Sequence, residues 1–233
     1  MERHAVLCGS RHVYRDMVAA AKALAANSSV DRIHFLIEDA EFPAELPDII
    51  EVRNVSDQRY FDADGPNMRS GYTYLAMMRA ALCFEFPDLD RILSLDCDAF
   101  CVQDVDSLWD IPLEGCYFSA SIENHRTHNG FQYTNTGVAL YNLEMLRDGK
   151  AEETIGVLNR RRFTWLEQDV FNYLCQGRIS EMPNEFNSNP WTGTCKDPRI
   201  IHYAGEPKNV YRSHEIWRKF SNLPWEDALE RMV

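Results

Sequence analysis

Ala5-Val6-Leu7-Cys8-Gly9 is a short apolar run stopped by a glycine, as a first strand would be. Tyr14–Ala26 follows with apolar side chains at 17, 18, 21, 24 and 25, the period of a helix, and Asn27-Ser28-Ser29 ends it. Ile33–Ile37 is again a short apolar run. Strand, helix and strand in that order make a βαβ unit, which implies parallel pairing and an α/β fold class.

The alternation continues outward. Pro43 and Pro47 mark a loop, and Ile49–Val52 reads as a third strand. Tyr72–Phe86, rich in Ala, Leu and Met, reads as one helix ended by Pro87. Arg91-Ile92-Leu93-Ser94-Leu95 is a buried strand; Cys116–Ile122, Gly137–Tyr141 and Ile200–Tyr203 are further strands, and Ala151–Arg161 and Leu166–Cys175 are helices. The tail, His214–Val233, carries Trp217, Phe220 and Trp225 and reads as one or two helices folding back. The expected organisation is one domain over residues 1–210 with a helical extension over 211–233.

The totals narrow the function. The chain has 233 residues, 45% hydrophobic and 12% aromatic, enough for a sizeable core. Lys plus Arg number 24 against 36 Asp plus Glu, a net charge of −12. That balance argues against a nucleic-acid partner, which needs clustered cations, and against an anionic membrane surface. No apolar run reaches the ~18 residues of a membrane span, and no signal-peptide core follows Met1. Seven cysteines stand at 8, 83, 97, 101, 116, 175 and 195. An odd number in a chain of this size favours reduced thiols and a cytoplasmic location. Cys97 and Cys101 have no second pair at finger spacing, so the expectation is no structural zinc there.

Chemistry concentrates in four places. Strand Arg91–Leu95 runs into Asp96-Cys97-Asp98. Residues i and i+2 of an extended chain point the same way, and ligands gather beyond such strand ends. Two hard carboxylates suit Mg²⁺ or Mn²⁺, which binds diphosphate in turn. In Ile201-His202-Tyr203-Ala204-Gly205-Glu206-Pro207-Lys208, the imidazole can ligate a metal, Gly205 admits a ligand close to the backbone, and Lys208 can meet phosphate. Asn135-Thr136-Gly137 reads either simply as a turn before a strand or as placing Asn135 on the floor of a pocket; Glu167-Gln168-Asp169 opens a helix, where acidic groups also simply favour the dipole.

In this order and spacing the four pieces resemble glycosyltransferase family 8, the family of glycogenin and of bacterial galactosyl- and glucosyltransferases that build lipopolysaccharide. Asp96-Cys97-Asp98 resembles the family's Asp-x-Asp, Asn135-Thr136-Gly137 with Asn142 its Asn-x-Gly-(four residues)-Asn strand, Glu167-Gln168-Asp169 its Asp-Gln-Asp, and His202-x-x-Gly205-x-x-Lys208 its His-x-x-Gly-x-x-Lys. Pro183 to Asn187 resembles a further Leu-Pro-x-x-Phe/Tyr-Asn segment. The resemblance covers residues from about 5 to 210. It implies a GT-A fold with a mostly parallel sheet and helices on both faces. It also implies a UDP-sugar donor (UDP-glucose or UDP-galactose), Mn²⁺ or Mg²⁺, and retaining transfer of a hexose to a glycan or other hydroxyl acceptor. Asp96, Asp98 and His202 would bind the metal. Gly205 and Lys208 would hold the diphosphate beside Cys97, and Tyr14 would stack on the uracil. Arg79, Glu123, Asn135, Glu167 and Gln168 would surround the transferred sugar.

Three departures accompany the likeness. Gly9-Ser10-Arg11-His12-Val13-Tyr14 lacks the acidic residues that usually precede the stacking aromatic. Glu167 and Glu123 stand where the family has Asp, and Asn209-Val210-Tyr211 stands where a Trp commonly follows. These departures keep open a non-catalytic or weakly active sugar-nucleotide-binding protein. A Mg²⁺ phosphatase of the haloacid dehalogenase class also has an apolar strand before Asp-x-Asp, but expects Thr or Val where this chain has Phe100.

Overall fold

A computed structural model describes residues 2–70, 72–128 and 130–230, with side chains of 125–128 outside the description. Seven strands form the central sheet: β1 (His4–Cys8), β2 (Arg32–Ile37), β3 (Ile50–Asn54), β4 (Arg91–Leu95), β6 (Phe118–His128), β7 (Phe131–Asn142) and β8 (Ile179–Glu181), in the order β3-β2-β1-β4-β7-β6-β8. The βαβ unit is where the sequence places it. Helix α1 (Tyr14–Asn27) connects β1 to β2, and Leu7 lies opposite Phe35 on one side and Leu95 on the other, all in parallel register. Ile33–Ile37 are wholly buried, as expected of a strand covered on both faces. β7 is antiparallel to β4 and β6, whereas β8 is parallel to β6. The remaining strands, β5 (Ala99–Cys101) and β9 (Ile200–His202), pair with each other beyond the end of β4.

Helices cover both faces. On one, α1 packs with α8 (Glu215–Asn222) and α9 (Trp225–Leu229) over a core including Met17, Phe35, Leu95, Trp217 and Phe220. On the other lie α2 (Tyr74–Met77), α3 (Leu82–Glu85), α4 (Leu143–Leu146), α5 (Lys150–Arg160) and α6 (Leu166–Leu174), over Met78, Leu82, Tyr141 and Phe171. The short α7 (Lys208–Tyr211) joins β9 to α8. The C-terminal helices are pinned by Asp16 on α1, which is fully buried and accepts from Arg212 Nε at 2.9 Å and Trp217 Nε1 at 2.8 Å. A buried carboxylate persists only with such partners. The last residues of the expected tail, 231–233, lie outside the described residues.

The structure corrects the expected elements in three places. Tyr72–Phe86 is not one helix: a 3₁₀ segment, Met78–Ala81, separates α2 from α3. The tighter turn sits at Arg79, whose guanidinium is drawn into the interior. The strands expected at 116–122 and 137–141 are halves of a longer hairpin, whose polar outer part gives no apolar alternation to read. β5 and β8, three residues each, are not among the expected strands.

At the start of β1 and β2, His4 Nδ1 and His34 Nε2 share a hydrogen bond of 2.9 Å with the rings stacked, and His34 Nδ1 lies 3.2 Å from Glu51. Burial, then the neighbouring His4 and Arg53, lowers the His34 pKa to about 4 from 6.5. The unfolded chain therefore binds a proton here that the folded chain rejects between those values. The stability tied to neutral His34 is fully present above pH about 6.5 and is lost as pH falls toward 4, a swing of about 3 kcal/mol. Urea unfolding of the wild type and of His34→Gln across that window should show a shallower loss in the variant; parallel curves would refute the assignment.

Candidate active site

The site is built beyond the C-terminal ends of the central parallel strands β1 and β4. The chain leaves β4 through Asp96-Cys97-Asp98 and returns as β5, whose Ala99 pairs with His202 of β9. That pairing brings the imidazole back over both carboxylates: His202 Nε2 lies 3.5 Å from Asp96 Oδ2 and 3.3 Å from Asp98 Oδ1. One ligand atom from each of Asp96, Asp98 and His202 falls within 4.8 Å of the others. Gly137 on β7 faces the cluster. A Cβ there would stand 2.1 Å from His202 Cε1 and 2.8 Å from Asp96 Oδ2. The cradle therefore exists only because residue 137 has no side chain. Two hard oxygens and one borderline nitrogen suit Mn²⁺ or Mg²⁺, so the donor set fits the ion that the resemblance implies.

The His202 ring is nearly fully buried. Burial pushes its pKa down, but Asp98 and Asp96 outweigh that and raise it to about 9. A cation at Nε2 would replace this proton in relieving the two carboxylates. Asp96 itself is held below the usual carboxylate range: burial opposes ionisation, and Arg79 and His202 more than compensate.

Arg79 is the inner support. Its Nη2 donates to Asp96 Oδ1 at 2.8 Å, its Nη1 to the Thr136 carbonyl at 2.8 Å, and its Nε lies 3.2 Å from Glu167 Oε1. Glu167 is almost wholly buried, and burial lifts its pKa to about 7 against the opposing pull of Arg79. The preceding residue, Leu166, has φ of 47°, a left-handed backbone that a branched side chain rarely adopts. Such strain persists where surrounding contacts impose it and gathers at functional sites. Here it turns Glu167 inward at the start of α6. Asp169 closes that first turn, accepting from Trp165 N–H at 2.8 Å and Tyr133 O–H at 2.6 Å.

Beside this lies a group of amides. Glu123 Oε1 accepts from Asn135 Nδ2 at 3.0 Å and Gln168 Nε2 at 3.4 Å, while Gln168 Oε1 accepts the Thr136 N–H at 2.9 Å. All these groups open onto one cavity of about 510 Å³. It brings together Arg79, Asp96, Cys97, Asp98, Glu123, Asn135, Glu167, Gln168, His202, Gly205 and Lys208. Cys97 is an inert wall group, its thiol held protonated by burial. Gly205 has φ of 79°, the conformation that favours glycine, and Lys208 is exposed at the rim.

Tyr14 is the exception and a correction. It does not line the cavity: its ring is 4% exposed and packs on Phe42, and its hydroxyl donates to Asp39 Oδ2 at 2.8 Å. One residue earlier on the same turn, Val13 faces the cavity instead, beside Ser10 and Gly9. A step of one residue rotates about 100° around a helix, which suffices to send Tyr14 into the core. The sequence reading also missed Tyr72, Trp165 and Trp191, aromatic groups at the rim, and gave no role to Asn187, which meets His202 Nδ1 at 2.8 Å. The only sequence signal of the three aromatics is their presence in polar segments, whereas Asn187 closes the Pro183–Asn187 segment that resembles a family motif.

The family model for glycosyl transferase family 8 matches residues 6–209. The chain belongs to this family. Among curated relatives, the lipopolysaccharide 1,2-glucosyltransferase of Escherichia coli K12 is 25% identical over 177 residues, 61% of this chain and 52% of the relative. Glycosyltransferase GlyB of Streptococcus pneumoniae serotype 4 is 27% identical over 165 residues, 60% of this chain and 41% of the relative. The chain thus spans about half the length of these relatives. Among solved structures, glycosyltransferase GlyE of S. pneumoniae TIGR4 superposes with a TM-score of 0.74 at 18% identity, covering 99% of this chain and 63% of that one. Galactosyltransferase LgtC, solved with donor and acceptor sugar analogues, gives 0.71 at 20% identity, covering 97% and 100%. The fold is therefore GT-A, and no described helix is long and apolar enough to cross a membrane.

Gly137→Ala should lower Mn²⁺ affinity by at least about tenfold and destabilise the fold by about 1–3 kcal/mol, because neither backbone nor imidazole can yield the missing ångström. Mn²⁺ titration followed by magnetic resonance of the free ion checks this; wild-type affinity in the variant would show that the cluster is not the ion site.

Proposed function

We propose that the chain is a metal-dependent retaining glycosyltransferase that moves a hexose from a UDP-sugar to an acceptor hydroxyl. The observation that carries the reading is the convergence of Asp96, Asp98 and His202 on a cavity also lined by Gly205 and Lys208, in a chain of this family. In this reading residues 1–210 are the catalytic unit and 211–233 an extension packed on it. The seven free thiols agree with a reducing, cytoplasmic home.

Mn²⁺ or Mg²⁺ at the three ligands would neutralise charge on the donor's diphosphate. Lys208 adds an ammonium at the rim and Gly205 lets the backbone approach, so the phosphate gathering charge as UDP departs meets preorganised positive groups. The sugar carbon gains oxocarbenium character. Glu123, whose carboxylate accepts two amide hydrogens, and the Gln168 and Asn135 amides shape the sugar face. Buried Glu167 is held against Arg79 and orients that guanidinium. The acceptor oxygen attacks from the face UDP leaves, its proton passing to the departing phosphate oxygen. Trp191 (48% exposed) and Tyr72 (46% exposed) border the cavity and offer flat faces to an acceptor such as a glycan. With Val13 rather than Tyr14 at the cavity wall, the base rests on an aliphatic surface.

Calorimetric titration of UDP with Mn²⁺ and then with EDTA tests the donor site. Binding is expected only with the ion, and Asp98→Ala should abolish it while leaving the fold intact; metal-independent binding would sink the assignment. Gln168→Ala should reduce turnover of UDP-glucose or UDP-galactose far more than UDP affinity, and equal losses would remove Gln168 from the sugar. Because the ion must displace the His202 proton, apparent Mn²⁺ affinity should fall up to about tenfold per unit as pH drops below about 9. A flat profile would place the ion elsewhere.

A further inference from the structure

The amide of Asn187 is completely buried, and backbone groups that cannot flip dictate which way it points. Asn189 Oδ1 accepts the backbone N–H groups of Trp191 at 2.8 Å and Thr192 at 3.0 Å, so this oxygen must face them. Asn189 Nδ2 is then the donor to Asn187 Oδ1 at 2.9 Å. Asn187 Oδ1 is therefore an acceptor, and its other short neighbour, His202 Nδ1 at 2.8 Å, must carry the hydrogen. The opposite end is fixed in the same way. The Gly137 N–H donates to Asn135 Oδ1 at 3.1 Å, which also accepts Asn187 Nδ2 at 3.0 Å, and this turns Asn135 Nδ2 toward Glu123 Oε1.

From this geometry we infer that Asn187 is a positioning residue that holds His202 as its Nδ1–H tautomer, turns the Nε2 lone pair toward Asp96 and Asp98, and links that alignment through Asn135 to the Glu123 carboxylate. Without it, the neighbouring carboxylates favour the opposite tautomer, with Nε2–H donating to Asp98 and the lone pair turned away. Partners of this kind behind a ligating histidine fix both its tautomer and its ring orientation. The metal consequence rests on the proposed ion site; the tautomer itself does not.

Two measurements test the inference separately from that reading. In the metal-free chain at alkaline pH, nitrogen NMR of the His202 ring should report Nδ1–H in the wild type and a shift to Nε2–H in Asn187→Leu. An unchanged tautomer in the variant overturns the inference. Mn²⁺ affinity should drop about 10–100-fold in Asn187→Leu and show no further drop when the substitution is made in His202→Ala. An equal drop in both backgrounds means that Asn187 does not act through His202. Asn187→Asp covers the case in which the leucine variant does not fold. It still accepts the Nδ1 hydrogen but sets an oxygen against Asn135 Oδ1. It should keep Mn²⁺ affinity within a few-fold while UDP-sugar turnover falls at least about tenfold; loss of Mn²⁺ binding with turnover retained overturns the inference. A wild type that binds no Mn²⁺ removes the metal reading and leaves the tautomer measurement to decide this one.

Discussion

The site hangs on one buried cation. Arg79 reaches Asp96 after β4, Glu167 at the start of α6 and the Thr136 carbonyl on β7, so a single guanidinium ties three separate elements to its own. A guanidinium withdrawn from water is costly, and it is tolerated only when charge and hydrogen bonds replace hydration. Both are present, and together they hold Arg79 more firmly protonated than in water despite its burial. Two local irregularities follow from the same demand. The 3₁₀ break at Met78–Ala81 lies at the residue that must reach inward. The left-handed Leu166 lies next to the carboxylate that must reach back. Neither segment forms its ordinary helical geometry, and both border the cavity.

Much of this was legible in the residues because burial writes itself as pattern. The run Arg91–Leu95 into Asp96-Cys97-Asp98 announced a strand end with two carboxylates, and that is where they stand. A single histidine after a short apolar run fits a core as well as a ligand; its conjunction with Asp96-Cys97-Asp98, and then the His-x-x-Gly-x-x-Lys spacing, single out His202. Tyr14 went astray because the helix entry fixes which residue faces the cleft, and the 3₁₀ turn Arg11–Val13 that sets it has no periodic signature. The outer hairpin of β6 and β7, the Asn189 amide and the role of Asn187 behind His202 were illegible for a shared reason. Their order comes from hydrogen-bond direction, which composition and period do not encode.

The C-terminal helices are bound to the site through the same strand-to-helix passage that carries Lys208 to the cavity rim. Lys208 and Tyr211 belong to α7, the link between β9 and α8, and both line the cavity. Immediately after them Arg212 clasps Asp16, whose other partner is Trp217 on α8. Asp16 thus fixes the C-terminal end of the link and the α8 that follows against α1, one turn from the Val13 wall. The position of Lys208 is set from behind by a buried carboxylate rather than by its own exposed side chain.

The charge of the cavity argues for what must enter it. Five carboxylates line it, from Asp96, Asp98, Glu123, Glu167 and Glu206, against two permanent cations, Arg79 and Lys208. Arg79 is already committed to Asp96 and Glu167. In a chain of net charge −12, a diphosphate approaching this wall meets repulsion that Lys208 and the His202 proton offset only in part. A divalent cation between Asp96, Asp98 and His202 would invert that local balance at the point where the two parallel strands end. The acidic composition that argues against a nucleic-acid partner therefore agrees with a nucleotide ligand, provided that the ion enters first or with it.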